Sequence, residues 1–479
     1  MLILLLILIP LFGGLFTFAM PSSKAYITAT FSGVATLLVS IIAYYFFSEK
    51  VNTEMLSYNA IWIESIGAHF RVGIESGLGL LMVLLTSIAF PFIFIFIKNK
   101  EPENQSTFYG LMLLAQVGLL GVFVAKDALL FYGFWEIALI PVYFLSSMYG
   151  GEKRIAVTFK FFVYTFVGSL LMLISLLYIY QHTADHSFSL NSFITAGQSL
   201  PLQTQTWLFW LMFIAFAIKM PIFPFHTWQP DTYEQSATPV TIVMSALMVK
   251  MGLFAVIVWL IPVLGVGATH WMNLLILLSV ISILYASCLA IVQSNIKRLI
   301  AYSSIAHVGL MGAALFSQTN IGMEGVIIQM FNHGINVMGL WLLVSVLENR
   351  LHTQNMNEMG GIAKVAPNFT IALVVISFAN IALPLTNAFV GEFLMFNGVF
   401  TSVSSYKIGF TVFALIGIIL SAYYTLSMVR KVAFGEVNSN TANFKDLTKN
   451  EMFIMSLIVL MIIILGFYPA YIIDLLKTV

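Results

Sequence analysis

The sequence predicts an all-α polytopic membrane protein of about fourteen transmembrane helices. It further predicts two inverted five-helix repeats, with the seventh and twelfth helices broken. Three observations carry this reading. Of 479 residues, 60% are hydrophobic and 9% are charged, whereas a soluble domain carries about 25% charged residues; the mean hydropathy is +0.97. Apolar stretches of the roughly 20 residues needed to cross hydrocarbon recur along the chain with short links between them. Ionisable groups and helix breakers then recur inside those stretches, in a similar order in each half.

The spans lie near 2–20, 26–46, 76–97, 107–124, 127–149, 157–180, 206–224, 238–262, 270–292, 299–316, 322–347, 370–400, 408–430 and 452–473. The first, "MLILLLILIPLFGGLFTFAM", has no basic residue ahead of its apolar run and no A-x-A site, so it reads as a retained helix rather than a signal peptide. The 370–400 stretch is too long for one simple span and predicts an interrupted helix. The resulting organisation is 1–106 for helices one to three, 107–262 and 263–430 for the two repeats, and 431–479 for the last helix. Five helices per repeat is an odd number, which makes the repeats oppositely oriented, as in many transporters.

Basic residues orient the chain. With the N-terminus outside, the cytoplasmic loops hold 13 of the 21 Lys and Arg, Lys100 among them, and the outer loops hold 5, Lys477 among them. Lys160, Lys219 and Lys250 lie within spans. This split obeys the positive-inside rule and puts both termini on the outer side. Lys160 sits near the cytoplasmic end of its helix and is expected to snorkel. A net charge of +1 supplies no field to recruit nucleic acid. The single cysteine, Cys288, excludes an internal disulfide and a cysteine-held cluster, and is expected to pack among apolar neighbours.

Four ionisable groups lie deep in apolar runs: Glu136 in "LLFYGFWEIALIPVYF", Lys219 in "FIAFAIKMPIFPFHTWQPD", Lys250 in "MVKMGLF" and Glu392 in "NAFVGEFLMF". Each costs about 2.5–3.5 kcal/mol on insertion scales, so each is a functional-site hypothesis with a partner to be named. At about 1.5 Å per residue, Glu136, Lys219 and Lys250 fall near mid-membrane. Groups at one depth form a row along the membrane plane. Burial disfavours the charged form of amine and carboxyl alike, while a partner of opposite charge restores it. A buried Glu–Lys pair therefore changes its proton affinity when it opens. Glu136 with Lys219 is the expected pair, Lys250 the next acceptor and Glu392 the exit group. His307 and His333, at mid-depth in consecutive helices, suit a relay between Lys250 and Glu392, because imidazole passes a proton between its two nitrogens. Static ion pairs and packing histidines remain the alternative at this point. No His, Asp or Glu grouping has metal-ligand spacing.

Pro221 and Pro224 remove backbone donors beside Lys219, freeing the carbonyls of Ala217 and Met220; Pro384 does the same near Glu392. Within a bilayer, broken backbone is tolerated only against protein or a wet cavity. The breaks thus predict polar, hydrated settings beside the buried charges, and Asn380, Thr386 and Asn387 add polar side chains to the second one.

The stretches "FWEIALIPVYFL", "IKMPIFPFHTWQPDTYEQSATPVT", "MVKMGLF", "NIKRLIAYSSIAHVGLMG", "QMFNHGIN" and "FVGEF" together resemble the antiporter-like membrane subunits of respiratory complex I, most closely those of the M type. The resemblance spans helices four to thirteen. It implies that the carboxylate of the FWE motif, Glu136, pairs with the broken-helix lysine, Lys219. It places the following lysine on Lys250, the relay histidine on His307 and the terminal carboxylate on Glu392. The usual H-x-W-L-P-D motif reads "HTWQPD" here, with Gln229 in the apolar slot. The resemblance also implies a proton-translocating subunit of a bacterial inner-membrane translocase, flanked by L-like and N-like subunits. NADH, flavin, Fe–S clusters and quinone would be bound by partner subunits, consistent with a chain that has no GxGxxG, no P-loop and no cluster-ligating cysteines. The alternatives are a subunit of a multisubunit cation/proton antiporter and a solute carrier with one central cavity.

Overall fold

The computed structural model describes residues 1–98 and 102–476; Lys100 and Lys477, used above for orientation, lie outside the described residues. The helices are α1 (Leu2–Ala19), α2 (Ser22–Ser48), α3 (Gly77–Phe96), α4 (Gln105–Val124), α5 (Ala128–Met148), α6 (Arg154–Tyr180), α7 (Leu190–Ser199), α8 (Leu202–Lys219) and α9 (Trp228–Gln235). They continue with α10 (Thr238–Val263), α11 (Gly265–Ile291), α12 (Ile296–Phe316), α13 (Asn320–Leu351), α14 (Pro367–Asn380), α15 (Asn387–Thr401), α16 (Lys407–Ala433) and α17 (Lys449–Phe467). Among the described residues, 12 helices are long and apolar enough to cross a membrane. They fall on twelve of the predicted spans. The other two predicted spans are the interrupted ones, α8 followed by α9, and α14 followed by α15.

The contacts divide the chain into two compact units: Met1–Met220, Leu247–Trp271 and Leu475–Val479 form the first, and Pro221–Ala246 with Met272–Asp474 the second. In the first unit, α4 and α5 pack closely because Gly118 faces α5; a Cβ there would lie 2.2 Å from the backbone nitrogen of Ala138. Asp127 starts α5 by accepting from the backbone N–H groups of Leu129 and Leu130, which satisfies two of the donors a helix start leaves open. In the second unit, α12 and α13 are buried throughout their apolar windows, while α16 and α17 are largely exposed on their outer faces. The polar residues inside those windows therefore face protein.

Several expectations need correction. Residues 57–73, between the second and third predicted spans, form an antiparallel hairpin of β1 (Ser57–Ile63) and β2 (Ala68–Gly73), in register Ser57 with Gly73 and a bulge between Ile61 and Ile63. The seventh span is broken at its prolines as expected, but its helix stops short of the predicted bound at 224: it ends at Lys219, and Pro221 and Pro224 lie in the irregular stretch before α9. Fixed proline φ and the absent N–H groups stop the helix there. Cys288 is exposed on α11 rather than packed inside.

Candidate functional site

Each predicted residue has a definite place. In the first unit, Lys219 is the last helical residue of α8 and only 2% exposed. Its Nζ lies 5.6 Å from the ring centre of Trp135 and 5.7 Å from that of Phe161. Such faces hold an ammonium through the ring quadrupole without accepting a proton. Nζ makes no hydrogen bond to protein, and neither does Oε1 of half-buried Glu136. Glu136 is the carboxylate whose charge acts on Lys219. Amine and acid are thus electrostatically coupled and not locked in a direct bond, as a switchable pair requires.

Lys250, fully buried, lies on α10 in a geometry the sequence did not reveal. The α-helical segment Val249–Ala255 that carries it is bounded by π-helical turns at Val243–Met248 and Val256–Leu260. The wider π ladder loosens local hydrogen bonding and is frequent at functional sites. Two residues on, Gly252 brings the helix against the end of α8: a Cβ there would lie 2.9 Å from the Phe216 carbonyl oxygen and 2.5 Å from Met220 Cγ. The break after Lys219 and the Lys250 segment are therefore in backbone contact within one unit.

In the second unit, His307 of α12, His333 of α13 and Glu392 of α15 come together. His307 Nδ1 and Glu392 Oε1 are 3.2 Å apart, and the two imidazole ring centres are 5.5 Å apart. Gln329 Nε2 donates to the same Glu392 oxygen at 3.4 Å. On the other side of the imidazole, Asn380 Nδ2 lies 3.4 Å from His307 Nε2 and donates to Ser303 Oγ, which also accepts from the Tyr424 hydroxyl at 3.1 Å. Pro384 lies in the break between α14 and α15. Beyond it, Asn332 Nδ2 donates to the Asn387 carbonyl at 2.6 Å, tying the start of α15 to α13. Glu392 also borders an apolar cleft of about 540 Å³ walled by Phe389, Phe393 and Phe396.

Gln329, Ser303 and Tyr424 were not singled out by the sequence. Part of the signal was present: Gln329, Asn332, His333 and Asn336 follow the i, i+3, i+4, i+7 spacing of one helix face in an otherwise apolar helix, and all are buried. His226 is buried and stacked on Phe223, with Tyr285 edge-on. Half-buried Lys160 lies near the start of α6. Among the described residues, no three His, Cys, Asp or Glu are grouped to hold a metal ion.

Comparisons with known proteins identify the family. A family model described as NADH:quinone oxidoreductase/Mrp antiporter, transmembrane, matches residues 125–421. NADH-quinone oxidoreductase subunit M of Rickettsia typhi is 36% identical over 448 residues, covering 92% of this chain and 88% of that protein. F(420)H(2) dehydrogenase subunit M of Methanosarcina mazei is 32% identical over 478 residues, covering 98% and 95%. A chain in the structure of respiratory complex I from Thermus thermophilus with bound NADH superposes with a TM-score of 0.89 at 27% identity, covering 100% of this chain and 98% of that one.

Proposed function

The chain belongs to the membrane-subunit family shared by NADH:quinone oxidoreductases and Mrp antiporters, and from that premise we propose that it is the M-type proton-translocating subunit of an NADH-quinone oxidoreductase. The carrying observation is Lys219, a buried amine at a helix end, coupled to Glu136 and bonded to no protein acceptor. Redox chemistry in partner subunits, which hold the NADH, flavin, Fe–S and quinone sites, changes the charge beside Glu136. The pair then opens, and Lys219 loses its proton toward Lys250. From there the proton passes to His307 and His333 and on to Glu392, the exit group. Glu136, Lys219 and Lys250 keep the first half of the relay in one unit, and the imidazoles with Glu392 keep the second half in the other.

The magnitudes are compatible. Moving one charge against 100 mV takes about 2.3 kcal/mol, and a change of about two units in a proton affinity supplies about 2.7 kcal/mol. The chain lies in a bacterial inner membrane with both termini outside. Its neighbours are L-like and N-like subunits, and its two broken-helix segments belong to inverted repeats at 107–262 and 263–430.

Lys219→Ala tests the relay. In inverted membrane vesicles, the assembled variant complex should lose most of its NADH-driven proton uptake attributable to this subunit. Undiminished protons per NADH would refute the relay. The family model also covers Mrp antiporters; cation/proton exchange without any redox partner would support that second reading.

A further inference from the structure

Two of the motif stretches carry charges that the relay does not use: Asp231 and Glu234 in "HTWQPDTYEQ", and Lys297 and Arg298 in "NIKRLIAYSS". In the second unit these charges meet. Arg298 Nη1 bonds Asp231 Oδ1 at 3.1 Å and Glu234 Oε2 at 2.8 Å. Its Nη2 reaches the Tyr302 hydroxyl at 3.5 Å, with the guanidinium 5.9 Å from that ring centre. Asn295 Nδ2 donates to the other Glu234 oxygen at 2.9 Å. Beside them, Lys297 Nζ bonds Glu348 Oε1 at 3.1 Å and the Ser236 carbonyl at 3.0 Å. The Thr238 hydroxyl donates to Glu348 as well.

Both cations sit where a helix favours anions. Lys297 and Arg298 occupy the first turn of α12, at the positive end of the helix dipole, so their charge works against α12 itself. That helix is started without them. Asn295 caps it, accepting from the backbone N–H groups of Lys297 and Arg298. What the two cations serve is therefore the segment they hold, α9 and the residues just after it. α9 needs such support. It runs only from Trp228 to Gln235, and helices shorter than about 12 residues are marginal on their own. Trp228, Thr232 and Tyr233 anchor its inner side by burial, and Arg298 grips its acidic side.

The grip is also built to release. The Arg298, Asp231 and Glu234 side chains are 27%, 33% and 24% exposed, so water screens their attraction far more than it would a buried pair. Residues 220–227 alone separate α9 from Lys219. A shift of α9 is thus passed along a short irregular link to the end of α8. We propose that Arg298 is the positioning residue of the broken-helix segment: by binding Asp231 and Glu234 together it holds α9, and through residues 220–227 it sets the helix end that presents Lys219. This rests on the reading that Lys219 carries protons, and it adds the residue that keeps Lys219 in place without exchanging a proton itself.

Measurements on the whole complex test it. In inverted vesicles, Arg298→Gln should lower proton uptake per NADH to the Lys219→Ala level while NADH oxidation is retained. In the Lys219→Ala background the same change should lower it no further, because one pathway is lost only once. Hydrogen–deuterium exchange read by mass spectrometry should rise about tenfold over residues 228–235 in Arg298→Gln and stay unchanged over α13. The charge exchange Arg298→Glu with Glu234→Arg should restore both the yield and the protection. A wild-type yield in assembled Arg298→Gln, a further fall in the Lys219→Ala background, or unchanged exchange over 228–235 overturns the proposal. If Arg298→Gln fails to assemble, Glu234→Gln, equal in shape and lacking one charge of the clamp, decides by the same exchange and yield. Undiminished yield in Lys219→Ala would overturn the relay instead, and exchange over 228–235 would still decide whether Arg298 holds α9.

Discussion

Glu392 shows how much one residue's setting decides. The residue is 6% exposed, and its carboxyl lies within 3.2 Å of an imidazole nitrogen and within reach of one carboxamide donor. In the proposed relay, a carboxylate so placed would take a proton from His307 through an existing contact. Glu392→Gln keeps the size and one acceptor oxygen but removes the titratable proton. We expect a complex that assembles and oxidises NADH, with proton uptake in vesicles lowered to about the Lys219→Ala level. A wild-type yield would make the glutamate a packing residue. At this scale the charged members were legible, because an acid or amine in an apolar run carries a cost that calls for a use. The neutral partners were harder to see. Gln329, Ser303 and Tyr424 carry no such cost when a neighbour satisfies them, so only the packed structure shows what they hold in place.

At the scale of elements, the helix ends and the loosened turns matter most. The prolines announced a break after Lys219. Its position, with Lys219 as the last helical residue and not mid-helix, depends on where the next segment docks. The π turns around Lys250 left no mark in the sequence, since an i→i+5 ladder demands no particular residue type. The hairpin at 57–73 was masked by its place between two strongly apolar spans, although "SYNAIWI" carries β-branched and aromatic residues suited to a strand. Gly252 is where the elements meet, and it gives a test. Gly252→Ala would set a methyl group 2.9 Å from the Phe216 carbonyl oxygen, forcing α10 away from the end of α8. Overpacking of this kind costs about 1–3 kcal/mol. The variant should denature at a lower temperature in detergent and yield fewer protons per NADH. An unchanged denaturation temperature would mean that the two helices are free to part.

At the scale of the whole molecule, the division of labour follows from what the residues are able to do. Buried amines, carboxyls and imidazoles in two units hold and release protons, but none of them oxidises or reduces anything. Directed movement against a potential needs an input of about 2.3 kcal/mol per charge for each 100 mV. That input has to arrive through neighbouring subunits as a change of charge or contact. Composition and span pattern made the membrane class plain from the sequence, and the motifs carried the family. Which assembly supplies the energy is a property of the partners, because the same relay would serve a redox complex or a cation exchanger. Mass spectrometry of the complex released in mild detergent therefore discriminates at this scale. We expect this chain to travel with L-like and N-like antiporter-like subunits and with proteins carrying flavin and Fe–S clusters. Recovery with small antiporter subunits alone would transfer the same Glu136–Lys219–Lys250 chemistry to proton exchange driven by a second cation gradient.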